Sequence, residues 1–219
     1  MTKAKLKRIL GLLDGHYPPQ PCFLEYKEPW QLLFATILSA QCTDARVNMV
    51  TKELFVKYPD LAAFAGADLA ELEEDIHSTG FYHNKALHIK EAAGQLLSRF
   101  GGELPSDIES LTSLSGVGRK TANVVRTHIF GIPSIVVDTH VKRVSKLLGI
   151  TDTDDPVKAE FELMDILPKD HWSAWNQQII THGRQLCISG RPRCEMCFLK
   201  DECAHYNAAK PRAGRTGGR

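Results

Sequence analysis

Apolar residues recur at three- and four-residue intervals along most of the chain, which is the spacing of one buried helix face. The first such face contains Leu6, Ile9, Leu10 and Leu13. Pro29 opens a nearly all-apolar helix that runs to about Ala40, because proline suits the first position of a helix. Residues 83–99 predict a further helix, which ends where Gly101 and Gly102 follow.

Polar residues just before apolar runs mark further helix starts, because their side chains accept hydrogen bonds from the first free backbone amides. The predicted caps and capping boxes are Asp44, Asp68 with Glu71, Ser106 with Glu109, Asp155 before Pro156, and Asp170. The helix after Pro156 is predicted to bury Phe161 and Met164. Only residues 134–137 have the composition of a strand. The sequence therefore predicts an all-α fold.

The composition is that of an ordinary globular chain, because 43% of its 219 residues are hydrophobic and 24% are charged. The longest apolar run, residues 32–38, is far shorter than the ~20 residues that a membrane-spanning helix needs. The basic N-terminus is interrupted by Asp14 before it reaches the length of a signal-peptide core. We therefore expect no membrane partner and a reducing, cytoplasmic location.

Charge is balanced in total but segregated along the chain. The net charge is +1, yet residues 112–150 contain six lysines and arginines against the single acid Asp138. Residues 184–219 are also rich in arginine and lysine, whereas the acids concentrate in residues 53–75 and 152–170. A basic face formed by the second half of the chain would suit a polyanion, although solvated surface charge explains the same pattern.

Four of the six cysteines are clustered near the C-terminus, in the pattern C-x6-C-x2-C-x5-C. They are Cys187, Cys194, Cys197 and Cys203. In a chain without an export signal, such a cluster indicates a metal site, and four thiolates can bind either tetrahedral zinc or a 4Fe–4S cluster. The wide outer gaps favour the larger iron–sulfur group. The separate Cys22 and Cys42 are interpreted as packed thiols.

Residues 111–125 predict a helix–hairpin–helix. Gly116, Val117 and Gly118 form a tight turn between an apolar helix end and a second helix that Arg119 and Lys120 enter. The free amides of that helix's first turn, together with the positive end of its dipole, suit a phosphate oxygen. A plain helix–helix corner is the alternative, which the adjacent basic residues make less favourable.

Lys120 and Asp138 form a candidate catalytic pair. A cation in the first turn of a helix opposes the dipole, so the position of Lys120 favours the neutral amine, which is a nucleophile. Desolvation in a closed pocket would have to supply most of the remaining free energy. Asp138 precedes the predicted helix at residues 139–148, where it is also suited to be the N-cap.

The motifs LSGVGRKTANVV, VDTHV and C-x6-C-x2-C-x5-C occur in that order, and together they resemble the endonuclease III family of bifunctional DNA glycosylases. The resemblance runs from Lys3 to about His205. It implies that Lys120 and Asp138 are catalytic, and that the four clustered cysteines bind a 4Fe–4S cluster. The hairpin residues Gly116, Val117, Gly118 and Arg119 are implied to bind DNA.

Further DNA-binding residues are implied by shorter segments. SAQCTDARVN places Gln41 where the family fills the gap left by a flipped nucleotide, and TGFYHNKA places Phe81 at the intercalating wedge. The wedge is often leucine in relatives. His140 lies close in sequence to Asp138, which suits either lining the site or packing beside it. Ser115 replaces a proline of the family pattern, a change expected to loosen the turn slightly.

The resemblance also implies an organisation and an activity. It predicts a six-helix barrel at residues 22–133, an iron–sulfur domain formed by residues 1–21 and 134–206, and a disordered basic tail at 207–219. The implied partner is duplex DNA with oxidised pyrimidines or abasic sites, on which the chain acts as a monomer. The alternatives are a monofunctional adenine-type glycosylase, which typically lacks the lysine at position 120, and a non-enzymatic DNA-binding module with structural zinc.

Overall fold

The apolar periodicity of the chain becomes a succession of α-helices in the computed structural model, which describes residues 1–18 and 21–209. The helices are α1 (Lys3–His16), α2 (Pro29–Leu38), α3 (Asp44–Lys57), α4 (Leu61–Gly66), α5 (Leu69–Ile76), α6 (Tyr82–Phe100), α7 (Ile108–Thr112), α8 (Arg119–Phe130), α9 (Thr139–Leu148), α10 (Pro156–Ile166), α11 (Trp172–Gln185) and α12 (Ala204–Ala209). Short 3₁₀ turns occur at His77–Thr79, Lys169–His171, Cys194–Met196 and Lys200–Glu202. The described residues contain no strand, so the predicted all-α fold is confirmed.

The chain divides into two compact units. The central unit is Pro21–Ser134 and contains α2 to α8. The terminal unit consists of the described residues of Met1–Gln20 and Ile135–Arg219, and it contains α1 and α9 to α12. The terminal unit is therefore assembled from both ends of the sequence. The assignment of a six-helix barrel to residues 22–133, and of an iron–sulfur domain to residues 1–21 and 134–206, stays a prediction.

The core of the central unit is centred on α2, of which residues 31–38 are all buried. The rings of Trp30, Phe34, Phe55 and Tyr58 all pack against the fully buried ring of Phe64, with ring centroids 5.0 to 6.3 Å apart. The helices α4 and α5 pack against α6, and α7 and α2 pack against α8. This packing fixes α6 and α8, the two helices on which the hairpin depends.

The core of the terminal unit joins α1 to α9, α10 and α11. The predicted apolar face of α1 is buried, and Trp175 of α11 is fully buried at the centre of this core. The prediction for α10 is wrong at Phe161, which is 50% exposed. The helix instead buries Ala159, Glu160 and Leu163, because its inward face is offset from the one that contains Phe161.

Three predicted helix starts are displaced by one or two residues. Thr43 rather than Asp44 caps α3, and Asp107 rather than Ser106 caps α7, because these side chains accept from the backbone amides of Arg46 and Ser110. Asp170 lies within a 3₁₀ turn that precedes α11.

Two other local predictions need correction. Residues 134–137 form no strand, because the backbone N–H of Val136 donates to Asn176 Oδ1 at 3.0 Å instead of to a neighbouring strand. The predicted disordered tail begins too early, since residues 207–209 belong to α12, where the Asn207 amide side chain donates to the Asp201 carbonyl. Residues 210–219 of that predicted tail lie outside the described residues.

Candidate functional site

The predicted hairpin is present between α7 and α8. Gly116 has a φ of 74°, Val117 is buried, and Gly118 is the extended N-cap of α8. A Cβ added at Gly116 would lie 2.7 Å from the Cβ of His88 in α6, closer than real Cβ contacts allow. Both the left-handed backbone and this close approach therefore require glycine at position 116. The geometry leaves the first-turn amides of α8 directly after the turn, as an anion site needs.

Ser115 holds the hairpin onto α6. Its backbone N–H donates to Gln95 Oε1 at 2.8 Å, and its Oγ donates to Glu91 Oε2 at 2.6 Å. Since the hydroxyl proton goes to Glu91, Oγ accepts from His88 Nδ1 at 2.9 Å. A proline in its place would lack both donors, so these bonds support the turn, and the expectation that Ser115 loosens it stays a prediction.

Lys120 lies in the first turn of α8 and is exposed. Within residues 1–18 and 21–209, no hydrogen bond or salt bridge engages its ammonium group. The first turn of α8 contains no acidic residue to offset the two cations there, and the neighbouring Arg119 is half-buried. The expected closed pocket around Lys120 is therefore not a property of the chain alone.

Asp138 is the N-cap of α9, as predicted. Its Oδ1 accepts a hydrogen bond from the backbone N–H of Val141 at 2.7 Å, and the residue is half-buried. No described residue donates a hydrogen bond to its second oxygen, Oδ2. The cap thus uses one carboxylate oxygen and leaves the other for a ligand.

His140 packs against the backbone of α11. A Cβ added at Gly183 would lie 2.5 Å from His140 Nδ1, so the imidazole occupies the space that a larger residue at position 183 would need. Burial lowers the pKa of His140, and Arg143 and Arg184 lower it further against the opposing effect of Asp138. The lowered pKa favours the neutral imidazole, which packs against α11, while a contact of His140 with DNA stays a prediction.

Gln41 and Phe81 share an unusual backbone conformation. They are the two non-glycine residues with positive φ in the described part of the chain, at 54° and 51°. Both line one cavity of the central unit, which the hairpin residue Gly116 also lines, and Phe81 is 63% exposed. Left-handed backbone is unfavourable for residues with a Cβ and clusters at binding sites. The structure thus brings both predicted residues to the same cavity as the hairpin.

Sequence reasoning missed two side chains that line this cavity, Lys85 and His88. Lys85 shares the buried face of α6 with Ile89, Ala92 and Leu96. A lysine on an apolar helical face was the available signal, since lysine is rarely buried unless its donors are paired. His88 gave no such signal, because its contact with Ser115 depends on how the hairpin packs on α6.

The four clustered cysteines line one cavity of the terminal unit. This cavity encloses about 450 Å³, its opening included, and is otherwise lined largely by apolar side chains such as Val144, Leu147 and Leu186. The four thiols are half-buried and form no disulfide. In the described residues, no group of three or more histidine, cysteine, aspartate or glutamate side chains is arranged to hold a metal ion.

Several groups around this cavity interact with the sulfur atoms. Arg143 Nη1 donates to Cys187 Sγ at 3.4 Å, and His182 Nε2 lies 3.5 Å from Cys197 Sγ. Burial raises the pKa of the Cys197 thiol to about 11, and the neighbouring thiols contribute to the rise. A metal that binds here must displace the protons of the four thiols. Arg143 is placed to stabilise the thiolate of Cys187.

A match to one protein family defines the class of this protein. Residues 34–169 match the HhH-GPD superfamily of base excision DNA repair proteins, and this segment contains the hairpin, Lys120 and Asp138. The class is thus a helix–hairpin–helix base excision repair protein. No helix in the described part of the chain is long and apolar enough to cross a membrane.

Similarity to individual proteins extends over nearly the whole chain. Endonuclease III of Synechocystis sp. is 48% identical over 208 residues, which are 94% of this chain and 95% of that protein. Endonuclease III of Bacillus subtilis is 46% identical over 202 residues, covering 90% and 92%. A solved structure of a trapped endonuclease III–DNA covalent intermediate, an estranged-adenine complex, superimposes with a TM-score of 0.90. It is 44% identical, with 95% of this chain and 98% of that chain covered.

The chain belongs to the endonuclease III family of base excision repair enzymes, which are DNA glycosylases and AP lyases. Members of this family contain a 4Fe–4S cluster.

Proposed function

We propose that this protein excises oxidised pyrimidines from duplex DNA and cuts the strand through a covalent Lys120–deoxyribose intermediate. One observation carries the proposal: an exposed lysine, for which no described residue is a hydrogen-bond or ion-pair partner, lies two residues after Gly118 in the first turn of α8. The chain is also 44% identical to a protein whose covalent intermediate with DNA has been trapped. A lysine amine is suited to form such a bond to a sugar carbon.

The hairpin positions the DNA. Gly118 and the first turn of α8 offer backbone amides at the positive end of the helix dipole, where a phosphate oxygen binds favourably. Such contacts fix the register of the duplex without reading its sequence. The close approach of Gly116 to His88 fixes the hairpin against α6.

The reaction follows from an amine next to the sugar. The Lys120 nitrogen donates its lone pair to C1′, the bond from C1′ to the base breaks, and the base leaves with the electron pair and takes up a proton. The nitrogen gives up one proton and forms the C1′=N bond of a protonated Schiff base as the bond from C1′ to O4′ breaks, and O4′ takes the electron pair and a proton. Removal of a proton from C2′ then breaks the bond from C3′ to its oxygen, and this β-elimination cuts the strand on the 3′ side.

DNA itself would complete the environment that Lys120 needs. The amine is exposed in the chain alone, so protein burial does not desolvate it. A docked nucleotide would exclude water from around this amine, which lies at the positive end of the α8 dipole. The dry environment of the nucleophile would therefore be complete only in the complex with DNA.

Asp138 is proposed to stabilise positive charge on the sugar and to assist proton transfer. Its Oδ1 is fixed by the Val141 amide, and Oδ2 accepts no hydrogen bond from the described residues. A carboxylate held in one orientation offers a preorganised negative charge to an oxocarbenium-like transition state. The N-cap bond thus orients the group that the chemistry uses.

Gln41 and Phe81 are proposed to enter the duplex when the damaged nucleotide is flipped out. Extrusion costs a few kcal/mol of stacking and pairing, least for a damaged base. An exposed aromatic ring inserted between bases, with an amide in the gap, would offset that cost. The shared cavity of these two residues and Gly116 supports this role.

The four cysteines of the terminal unit are proposed to bind a 4Fe–4S cluster. They supply four thiols in one apolar cavity, with Arg143 beside Cys187, and this donor set fits such a group. The cluster would stabilise the loops from residue 187 to 203, and no step of the reaction passes through it. Action on the chromosome would place the protein in the cytoplasm.

Borohydride trapping with a duplex that contains thymine glycol tests the proposal. The wild-type protein should give a covalent adduct and a cut strand, whereas Lys120→Ala should give neither. Lys52→Ala, which removes an exposed lysine of α3, is the matched control and should behave as wild type. Asp138→Asn should retain DNA binding and slow the reaction.

The alternatives give different results in the same experiment. Excision without an adduct would indicate a monofunctional glycosylase, for which adenine opposite a damaged base is the substrate to test. Binding without excision, from a colourless protein that contains zinc, would indicate a DNA-binding module. An adduct that persists in Lys120→Ala would exclude this lysine as the nucleophile.

A further inference from the structure

Lys85 is a buried cation in the central unit that the proposed reaction does not use. Only 4% of the residue is exposed. Its Nζ donates to the carbonyl oxygen of Leu38 at 2.8 Å and to that of Thr79 at 2.9 Å. Burial lowers the pKa of Lys85, as expected for an ammonium group removed from water. A lysine kept in such a place needs these two acceptors.

The two acceptors lie at the ends of two separate helical segments. Leu38 is the last residue of α2, and Thr79 is the last residue of the His77–Thr79 turn. Carbonyls at helix C-termini attract a cation, since they carry the negative end of the dipole. The ammonium group thus links the C-terminal ends of two helical segments. Among the described residues, no other hydrogen bond between a side chain and the backbone links these two ends.

Each acceptor stands just before one of the two left-handed residues. Gln41 follows Leu38 after Ser39 and Ala40, and Phe81 follows Thr79 after Gly80. The backbone N–H of Lys85 also donates to the carbonyl oxygen of Phe81 at 3.2 Å. Because positive φ is unfavourable at residues with a Cβ, surrounding bonds must maintain both segments. Lys85 makes bonds to both.

We propose that Lys85 is a positioning residue, which fixes Gln41 and Phe81 relative to each other so that both enter the duplex together. The inference rests on the function proposed above, since it gives these two residues a common task. It requires no contact between Lys85 and DNA. Its effect on base excision is therefore transmitted through Gln41 and Phe81.

A double-mutant cycle tests this transmission. Lys85→Met keeps an apolar stem of similar length but removes the donors, and we expect about a tenfold loss in the single-turnover rate of thymine glycol excision, or about 1.4 kcal/mol. In a Gln41→Ala/Phe81→Ala background, the same substitution should cost less than about twofold, because residues that act as a unit are not additive. An equal loss in both backgrounds would refute the proposal.

Lys90→Met is the matched control. Lys90 lies on the same helix and its Nζ donates to the Ala67 carbonyl, which is remote in sequence from both left-handed residues. It should leave excision within about twofold of wild type, the size of ordinary non-additivity. Should Lys90→Met slow excision as much as Lys85→Met, the effect would be general to lysines of α6, and the proposal would be wrong.

Two further measurements keep the outcomes distinct. Thermal unfolding shows whether each variant is folded at the assay temperature, and if Lys85→Met is not, Lys85→Gln enters the same cycle with one donor group retained. Wild-type trapping reports on the proposed function separately. A wild-type protein that forms the adduct, with Lys85→Met as active as wild type, would refute the positioning role alone.

Discussion

The two units of this protein differ in how their chain segments and apolar cores are arranged. The central unit is one continuous stretch of chain, with an aromatic cluster around Phe64 and an α2 that is buried over residues 31–38. The terminal unit joins both chain ends around a smaller apolar core, and residues 187–203 contain only 3₁₀ turns and the clustered cysteines. Apolar burial stabilises both cores, and the proposed cluster would add a constraint at the C-terminal loops of the second unit.

Among the substitutions predicted here, loss of a clustered cysteine should show the largest difference in stability between the two units. We expect Cys197→Ser to abolish the visible absorbance of the proposed 4Fe–4S cluster. The backbone amides of the terminal unit should then lose their protection against hydrogen exchange, while those of the central unit stay protected. Structural metal sites contribute on the order of 10 kcal/mol to folding, so the effect should exceed that of any core substitution.

The matched control is Cys22→Ser. Cys22 is a half-buried thiol packed against the central core, so its replacement should leave both the absorbance and the exchange pattern unchanged. Retained protection of the terminal unit in Cys197→Ser would show that this unit does not depend on its cysteines, and equal loss in both units would show that the effect is not confined to it.

The central unit should be most sensitive at its aromatic cluster. Phe64→Ala removes a fully buried ring that four other aromatic rings contact, and it should lower the free energy of unfolding by about 3 to 5 kcal/mol. Urea unfolding followed by tryptophan fluorescence measures this change, since Trp30 lies in the cluster.

Phe161→Ala is the corresponding control in the terminal unit. Half of this residue is exposed, and the cost should be below about 1 kcal/mol. If Phe64→Ala and Phe161→Ala lower the free energy of unfolding by the same amount, the aromatic cluster does not contribute more to stability than the exposed ring of α10.

Substitution of one helical glycine in each unit tests how tightly the helix packs at that position. Gly183→Ala in α11 places a Cβ at 2.5 Å from His140 Nδ1, and overpacking of this kind should cost about 1 to 3 kcal/mol. Gly94→Ala in α6 meets nothing within 4 Å, so the gain in helix propensity should stabilise the protein by up to about 1 kcal/mol. Thermal unfolding distinguishes the two by sign. A stabilised Gly183→Ala would show that His140 is not held against α11.

Local patterns in the sequence predicted most of the helices, and long-range packing explains what they missed. The N-cap at Asp138 and the glycine turn at Gly116 were predictable, because each depends on neighbouring residues. The exposure of Phe161 was not, since apolar spacing does not say which side of α10 meets the core.

The candidate site shows the same division. Motifs singled out Lys120, Asp138 and the cysteines, but the roles of Ser115 and Lys85 depend on partners in α6 or at helix ends far along the chain. Lys85 joins Leu38 and Thr79, which no periodicity pairs. The exposure of Lys120 was also unpredictable, because it depends on what packs around the start of α8.

The smallest expected effect concerns the hairpin at Ser115, which hydrogen bonds hold on α6. Ser115→Ala removes the Oγ bonds to Glu91 and His88 but keeps the N–H bond to Gln95, and it should cost about 0.5 to 1.5 kcal/mol of stability. Since the hairpin is proposed to bind phosphate, affinity for undamaged duplex should fall by about two- to tenfold when measured at fixed salt. Ser98→Ala, which removes another hydroxyl bond on α6, should leave affinity unchanged. Unchanged affinity in Ser115→Ala would mean that the turn is maintained by its glycines and by Gln95 alone, and that the hydroxyl contributes only to the local stability of the central unit.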